Sequence, residues 1–187
     1  PQIEFVDLGL SVKWGNANLG ATNGNTAESW YGNYYAWGEI ETKNDYSRSN
    51  YKFGASRPFS KYDSDGKTVL ESVDDVATVT NPALRMPTKA ELEELFSLPN
   101  KWVENYNSIS GLNGRVFTGI NGNTMFIPAA GYYYGSDIHD VGSNCNLWSS
   151  SLISSTHSLA YSLYFYSGSI HMFNGDRYNG FSVRPVC

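Results

Sequence analysis

The feature that most constrains the fold is a run of two-residue alternation near the C-terminus. Successive side chains of a strand point to opposite faces, so Leu159, Tyr161, Leu163 and Phe165 share one face and Ala160, Ser162, Tyr164 and Tyr166 the other. Ser167-Gly168 then supplies a two-residue hairpin turn, after which Ile170 and Met172 point one way and Ser169, His171 and Phe173 the other. The pattern predicts an antiparallel hairpin whose aliphatic face, Leu159, Leu163, Phe165, Ile170 and Met172, is buried. The opposite face then presents Ser162, Tyr164, Tyr166, Ser169, His171 and Phe173 to solvent. A slip of one residue would exchange the two faces entirely.

The rest of the chain reads as short elements joined by loops. Thr88 followed three residues later by Glu91 forms a capping box, with Leu92, Leu95 and Phe96 at helical spacing behind it, Pro87 before it and Pro99 after it. This predicts a helix over 88–97. Asp74-Asp75-Val76-Ala77-Thr78 begins a second, shorter helix, since acids in a first turn complement the helix dipole. Residues 3–14 read as a strand, a turn at Gly9 and a second strand. Trp30, Tyr31, Tyr34, Tyr35 and Trp37 read as a core cluster under a loop. Strands are expected at 115–118, 124–127, 146–150, 159–166, 169–173 and 181–186. The fold class is therefore α+β, with about two helices, short antiparallel strands and long loops. No Pro-rich or Ser-rich linker divides the 187 residues, so residues 1–187 are expected to form a single domain with a ligand-binding C-terminal part at about 147–187.

Composition narrows the function. The net charge is −5 and no run of Lys or Arg interrupts it, so a phosphate-tracking groove has no material and nucleic acid is excluded as a partner. No apolar stretch approaches the roughly 20 residues of a membrane helix. Pro1 begins the chain without a basic or apolar leader, so any targeting segment is expected to lie outside it. Low charge with abundant Asn, Ser and Tyr suits an extracellular or cell-surface protein, lipid-anchored or attached to a surface assembly. Cys145 and Cys187 are too few for a disulfide framework and lack zinc-site spacing. One disulfide and two buried thiols both remain open.

Six segments carry a resemblance: Val6-Asp7-Leu8-Gly9-Leu10-Ser11-Val12-Lys13-Trp14, Tyr35-Ala36-Trp37-Gly38-Glu39, Leu84-Arg85-Met86-Pro87-Thr88-Lys89-Ala90-Glu91, Ile127-Pro128-Ala129-Ala130-Gly131, Leu147-Trp148-Ser149-Ser150-Ser151 and Gly180-Phe181-Ser182-Val183-Arg184-Pro185-Val186. In this order they resemble the block motifs of the Fibrobacter succinogenes major paralogous domain of Bacteroidales surface proteins. That family is similar to the C-type-lectin-like fold of formylglycine-generating enzymes and of the variable proteins of diversity-generating retroelements. The resemblance implies terminal strands brought together, two helices and a loop-rich ligand-binding surface. The tail also resembles the retroelement-diversified frame, because Ser162, Tyr166, Ser169, His171, Phe173, Asn174, Asp176, Tyr178 and Asn179 all belong to the residue set reached by mutating adenine-rich Asn codons. A polar, aromatic binding surface would use the same residues without such a mechanism.

Tyrosine offers large contact area at low entropic cost and serine adaptable hydrogen bonds, the mixture found in paratopes. Ser162, Tyr164, Tyr166, Ser169, His171, Phe173, Asn174, Asp176 and Tyr178 are accordingly the candidate ligand-binding residues, for a protein or a glycan ligand. The competing reading is a half-buried tyrosine-rich sheet with no ligand. Asp63-Ser64-Asp65-Gly66 resembles the start of a calcium loop, making Asp63 and Asp65 candidate metal ligands, but position twelve is Asp74 rather than Glu; a solvated acidic turn is the alternative. The Glu-Pro-Asn and Trp-Asn-Asp motifs of calcium-dependent C-type lectins are missing. His139, His157 and His171 lack metal-ligand spacing, and Ser149 to Ser151 lack a nucleophile elbow. A non-catalytic, cofactor-free adhesin-like domain is therefore expected, with a tip subunit of a surface appendage or a formylglycine-generating-like oxidase as alternatives. Arg184 is expected to form an ion pair beneath the sheet, with a ligand contact as the second reading, and Arg177 either to contact ligand or to brace its loop.

Overall fold

The computed structural model describes residues 3–187. The chain is α+β, dominated by short sheets. β1 (Phe5–Val6) pairs with β2 (Trp14–Gly15) as an antiparallel ribbon. A single helical turn, α1 (Glu28–Tyr31), and β3 (Tyr34–Tyr35) follow. The expected aromatic cluster forms here, with Tyr31, Tyr34, Tyr35 and Trp37 buried. Next come α2 (Val76–Thr80) and α3 (Lys89–Ser97). A three-stranded antiparallel sheet runs β4 (Asn100–Val103), β5 (Gly114–Thr118), β6 (Thr124–Pro128). The hairpin of β7 (Tyr132–Tyr134) and β8 (Asp137–His139) leads into β9 (Asn144–Leu152), β10 (Leu159–Tyr166), β11 (Ile170–Asp176) and β12 (Phe181–Ser182). The largest sheet has the order β11-β10-β9-β12-β3, antiparallel except where β12 runs parallel to β9.

Both helices of the sequence reading form, α3 through its capping box as expected, whereas α2 starts at Val76 and Asp75 serves as its N-cap rather than as an acid within its first turn. Asp75 caps α2 by accepting from the Ala77 and Thr78 amides at 2.9 and 3.2 Å, and its second oxygen accepts the Met86 amide at 2.9 Å, which ties the helix to the strand-like segment before α3. Burial raises the Asp75 pKa against these donors. In α3 the capping box is complete: the Glu91 amide donates to Thr88 Oγ1 at 3.3 Å and the Thr88 amide to Glu91 Oε2 at 2.8 Å. Glu91 also receives both arms of the Arg85 guanidinium, at 2.7 and 2.5 Å.

The large sheet separates two cores. Leu92, Leu95 and Leu98 lie with Leu147, Leu163 and Phe165 from the sheet and with Phe117, Met125 and Ile127 from β5 and β6. On the other side Trp148, Phe181, Tyr34, Tyr35 and Trp37 join a larger aromatic core. The two ends of the chain meet beside the core that contains α3, where Trp14 and Arg85 both bridge Val186 and the Lys13 and Cys187 backbones exchange hydrogen bonds at 3.1 Å.

Arg184 departs from expectation. It is fully buried but forms no ion pair; its guanidinium donates to the carbonyls of Gly15 and Phe126 at 3.1 and 3.2 Å, while Nε has no partner. Burial without a carboxylate lowers its pKa to about 9. The cysteines form neither a bridge nor a pair of buried thiols: Cys145 is buried in β9 and Cys187 is exposed.

The Glu91 carboxylate supplies a pH test. Burial opposes its ionisation, but the Arg85 fork and the Thr88 amide outweigh this and hold its pKa below 4.5. A lowered acid pKa contributes stability that is fully present above the unfolded value and is lost as pH falls through the folded one. Chemical denaturation at a series of pH values should therefore show wild-type stability falling below about pH 4.5 more steeply than that of Glu91→Gln. Parallel curves would show that this carboxylate does not carry the acid sensitivity.

Candidate functional site

The β10–β11 hairpin forms in the predicted register, with Phe165 opposite Ile170, Tyr164 opposite His171 and Ser162 opposite Phe173. Tyr166 donates its amide to the Ser169 carbonyl at 3.0 Å, closing the Ser167-Gly168 turn. Leu163 and Phe165 are fully buried as expected. Ile170 and Met172 are only half-buried, because β11 is the edge strand and their inner face meets one neighbour rather than two. Leu159 is a further correction. It is half-buried and lines the cleft on the opposite face, beyond an irregularity between Ala160 and Ser162 where the strict alternation breaks.

The solvent face carries a continuous aromatic group. Tyr164 lies 5.9 Å from Tyr166, 5.1 Å from His171 and 5.8 Å from Phe173, centroid to centroid. Phe173 is 51% and Tyr166 38% exposed. Tyr164, Ser169, His171, Asn174, Asp176 and Tyr178 are half-buried. Ser162 does not belong to this surface. It has the right parity, but its β9 neighbour is Trp148, whose ring stacks on Phe181 at 4.1 Å, and Ser162 is completely covered. Its Oγ has no hydrogen-bond partner.

A cleft of about 440 Å³ opens beside this platform. Tyr164 and Phe173 form one side; Tyr132 and Phe181, whose rings meet edge-on at 6.0 Å, form the other. Asn144, Asn146, Asn174 and Asn179 add amides, and Asp140 and Asp176 add carboxylates. Burial raises the pKa of Tyr132 and of Tyr164, so both present neutral phenols. The structure thus brings Tyr164, Phe173, Asn174 and Asp176 together. Tyr166, Ser169 and His171 continue the platform away from the cleft. Tyr178 stands beyond Asp176 in a separate cleft of about 220 Å³, where Arg48 lies over its ring at 5.7 Å.

Sequence reasoning missed the wall built by β7 and β8. Tyr132 stacks on His139 at 5.4 Å, and Gly131, at φ +66°, packs so closely on the His139 carbonyl that any Cβ would collide with it. The signal was three tyrosines bracketed by two glycines. Arg115 was missed too: it reaches from β5 to the hairpin tip, donating to the Tyr166 carbonyl at 2.9 and 3.2 Å and to the Ser167 carbonyl at 3.2 Å.

Arg177 braces rather than displays. It is 0% exposed and donates to Tyr51 Oη at 3.0 Å and to the carbonyls of Tyr62, His157 and Lys61 at 3.1, 3.1 and 3.0 Å. Phe59 at 4.4 Å, Trp37 at 5.0 Å and Tyr51 at 5.4 Å surround the guanidinium. Asp63 and Asp65 are likewise taken up by the chain itself. Asp63 is buried and bound by the Arg57 guanidinium, the Phe59 amide at 2.7 Å and His157 Nδ1 at 3.1 Å. Arg57 and these donors hold its pKa well below the usual carboxylate range. Asp65 accepts the Tyr62 and Lys67 amides at 3.0 and 3.2 Å. Both carboxylates thus accept hydrogen bonds within the chain, and among the described residues no three acids, histidines or cysteines gather as metal ligands.

No protein-family model matches this chain, and no curated protein or solved structure shows significant similarity to it.

Because Arg177 makes four hydrogen bonds inside an aromatic cage, Arg177→Met should cost on the order of 3 kcal/mol or more in chemical denaturation. Arg177→Lys, which keeps the charge but not the fork, should recover little of it. Proteolysis of the 51–63 loop should accelerate in both variants. Unchanged stability would mean that the cage is incidental.

Proposed function

We propose that the chain is a non-catalytic, extracellular or cell-surface ligand-binding domain of adhesin type, on a C-type-lectin-like fold. One observation carries the reading: Tyr164, Tyr166, His171 and Phe173 form an exposed aromatic platform continuous with a cleft of about 440 Å³. Rigid aromatic side chains exposed beside a polar concavity are what a contact surface requires. The meeting of the chain ends through Trp14 and Val186, two capped helices and a loop-rich sheet support the fold assignment.

The oxidase alternative needs an accessible thiol pair. Cys145 is enclosed, burial pushes its pKa far above the ordinary thiol value, and Cys187 stands exposed. This weighs against that chemistry. Among the described residues no helix is long and apolar enough to cross a membrane. Diversification of the tail by a retroelement is a matter of the flanking DNA, where a reverse transcriptase and an imperfect repeat of the tail-coding region would establish it. A role at the tip of a surface appendage would use the same platform.

If the platform is the contact surface, a few anchors should dominate binding. On an array of glycans and host surface proteins, Tyr166→Ala and Phe173→Ala should each cost on the order of 2 kcal/mol of affinity, with Ser169→Ala nearly neutral. Both rings are exposed, so thermal stability should move little. Binding that ignores both substitutions would place the contact surface elsewhere.

A further inference from the structure

The lining of the main cleft selects among ligand classes. We propose that it takes a neutral pyranose sugar unit, recognised by aromatic stacking and direct hydrogen bonds without a bridging cation. This rests on the platform and cleft being the binding site.

Charge is the first discriminator. Among the described residues the only charged side chains lining the cleft are Asp140 and Asp176, and no lysine or arginine lines it to offset them. An anionic ligand such as a phosphate, a sulfate or an acidic sugar would meet two carboxylates and no counter-charge. Arg48 and Arg57 lie in the smaller cleft on the far side of Asp176, while Arg177 is spent on its own loop.

Hydrogen-bond capacity is the second. An asparagine amide both donates and accepts, and a carboxylate accepts. Four amides and two carboxylates therefore suit a ligand whose groups each donate and accept at once, as sugar hydroxyls do. An alkylammonium ligand would satisfy the acids and the rings but would leave the amides of Asn146, Asn174 and Asn179 without partners at its apolar surface. Asn144 already donates to Asp140 Oδ2 at 2.9 Å, which orients that carboxylate. Asn179 lines the cleft, and its Oδ1 is covered at the wall and receives no hydrogen bond from the chain.

Ring geometry is the third. Tyr164 and Phe173 are neighbours on one sheet face, tilted by 44° at 5.8 Å, and form a platform against which the C–H face of a pyranose can lie. The opposing Tyr132 is held by its stack on His139, so the slot is already formed before a ligand arrives.

The test is a set of amide-resolved NMR titrations of the intact chain in EDTA. The probes are methyl α-mannopyranoside, methyl β-galactopyranoside and N-acetylglucosamine as neutral sugars, N-acetylneuraminic acid as the anionic probe and trimethyl-lysine as the cationic one. At least one neutral sugar should shift the resonances of Tyr164, Asn174 and Asn179, and the two charged probes should not. Tyr164→Ala and Asn179→Ala should each weaken that binding about tenfold or more, equivalent to about 1.4 kcal/mol. Phe173→Ala, at a half-exposed position, should do the same with an unchanged melting temperature. Failure of all three neutral sugars to shift cleft resonances, dependence of their binding on added calcium, or stronger binding of a charged probe there would overturn the sugar assignment and leave the site standing. A purified ligand bound equally by wild type and the Tyr164→Ala, Phe173→Ala double variant would overturn the site itself.

Discussion

The tail is held in place by a cation buried without a counter-ion. Arg177 follows the last residue of β11 and is enclosed by rings from residues 37–62, its hydrogen bonds all ending on neutral oxygens. Such burial is costly unless the donors are met and the charge is screened by polarisable faces. Here both conditions hold, and they hold only when the loop carrying Tyr51, Phe59 and Tyr62 is folded over the sheet. The guanidinium thus couples a long irregular segment to the strand end from which Asn174, Asp176 and Asn179 enter the cleft. Asp63, gripping Arg57 and His157, fastens the same loop from its outer side.

The two faces of the β10–β11 hairpin divide the work. Leu163 and Phe165 lock it onto the core that contains α3, and Arg115 fixes its tip through main-chain carbonyls. Neither device uses an outward side chain. On the outer face the boundary between scaffold and surface falls between Ser162 and Tyr164, where Trp148 and Phe181 stop covering the sheet. Gly175 marks the same boundary on β11, since a Cβ there would lie 2.5 Å from Phe181 and 2.9 Å from Trp148.

Much of this was legible because the governing interactions are local. Thr88 and Glu91 announce α3 by spacing, Asp75 announces α2 by chemistry, and the alternation of 159–166 with Ser167-Gly168 fixes a hairpin and its inward face. What escaped depends on partners far away in the chain. Ser162 has the parity of a surface residue and is buried by a tryptophan from another strand. For Arg177 ligand contact and loop bracing both stand open in the sequence, and the cage that makes it a brace is supplied by rings more than a hundred residues earlier. Arg184 looked like half of an ion pair, yet carbonyls rather than a carboxylate receive it. The β7–β8 wall was hidden because three consecutive tyrosines show no alternation, so neither periodicity nor charge marked them as one side of a cleft.

The hairpin anchored from within and at its tip has a consequence for change over time. Because the bonds that hold its main chain make no use of the side chains of Tyr164, Tyr166, His171 or Phe173, which pack on one another above the sheet, exchanging them costs the framework beneath little. A lineage could rewrite that surface almost codon by codon while the framework stayed constant, and a laboratory library randomised at the same four places would inherit that freedom.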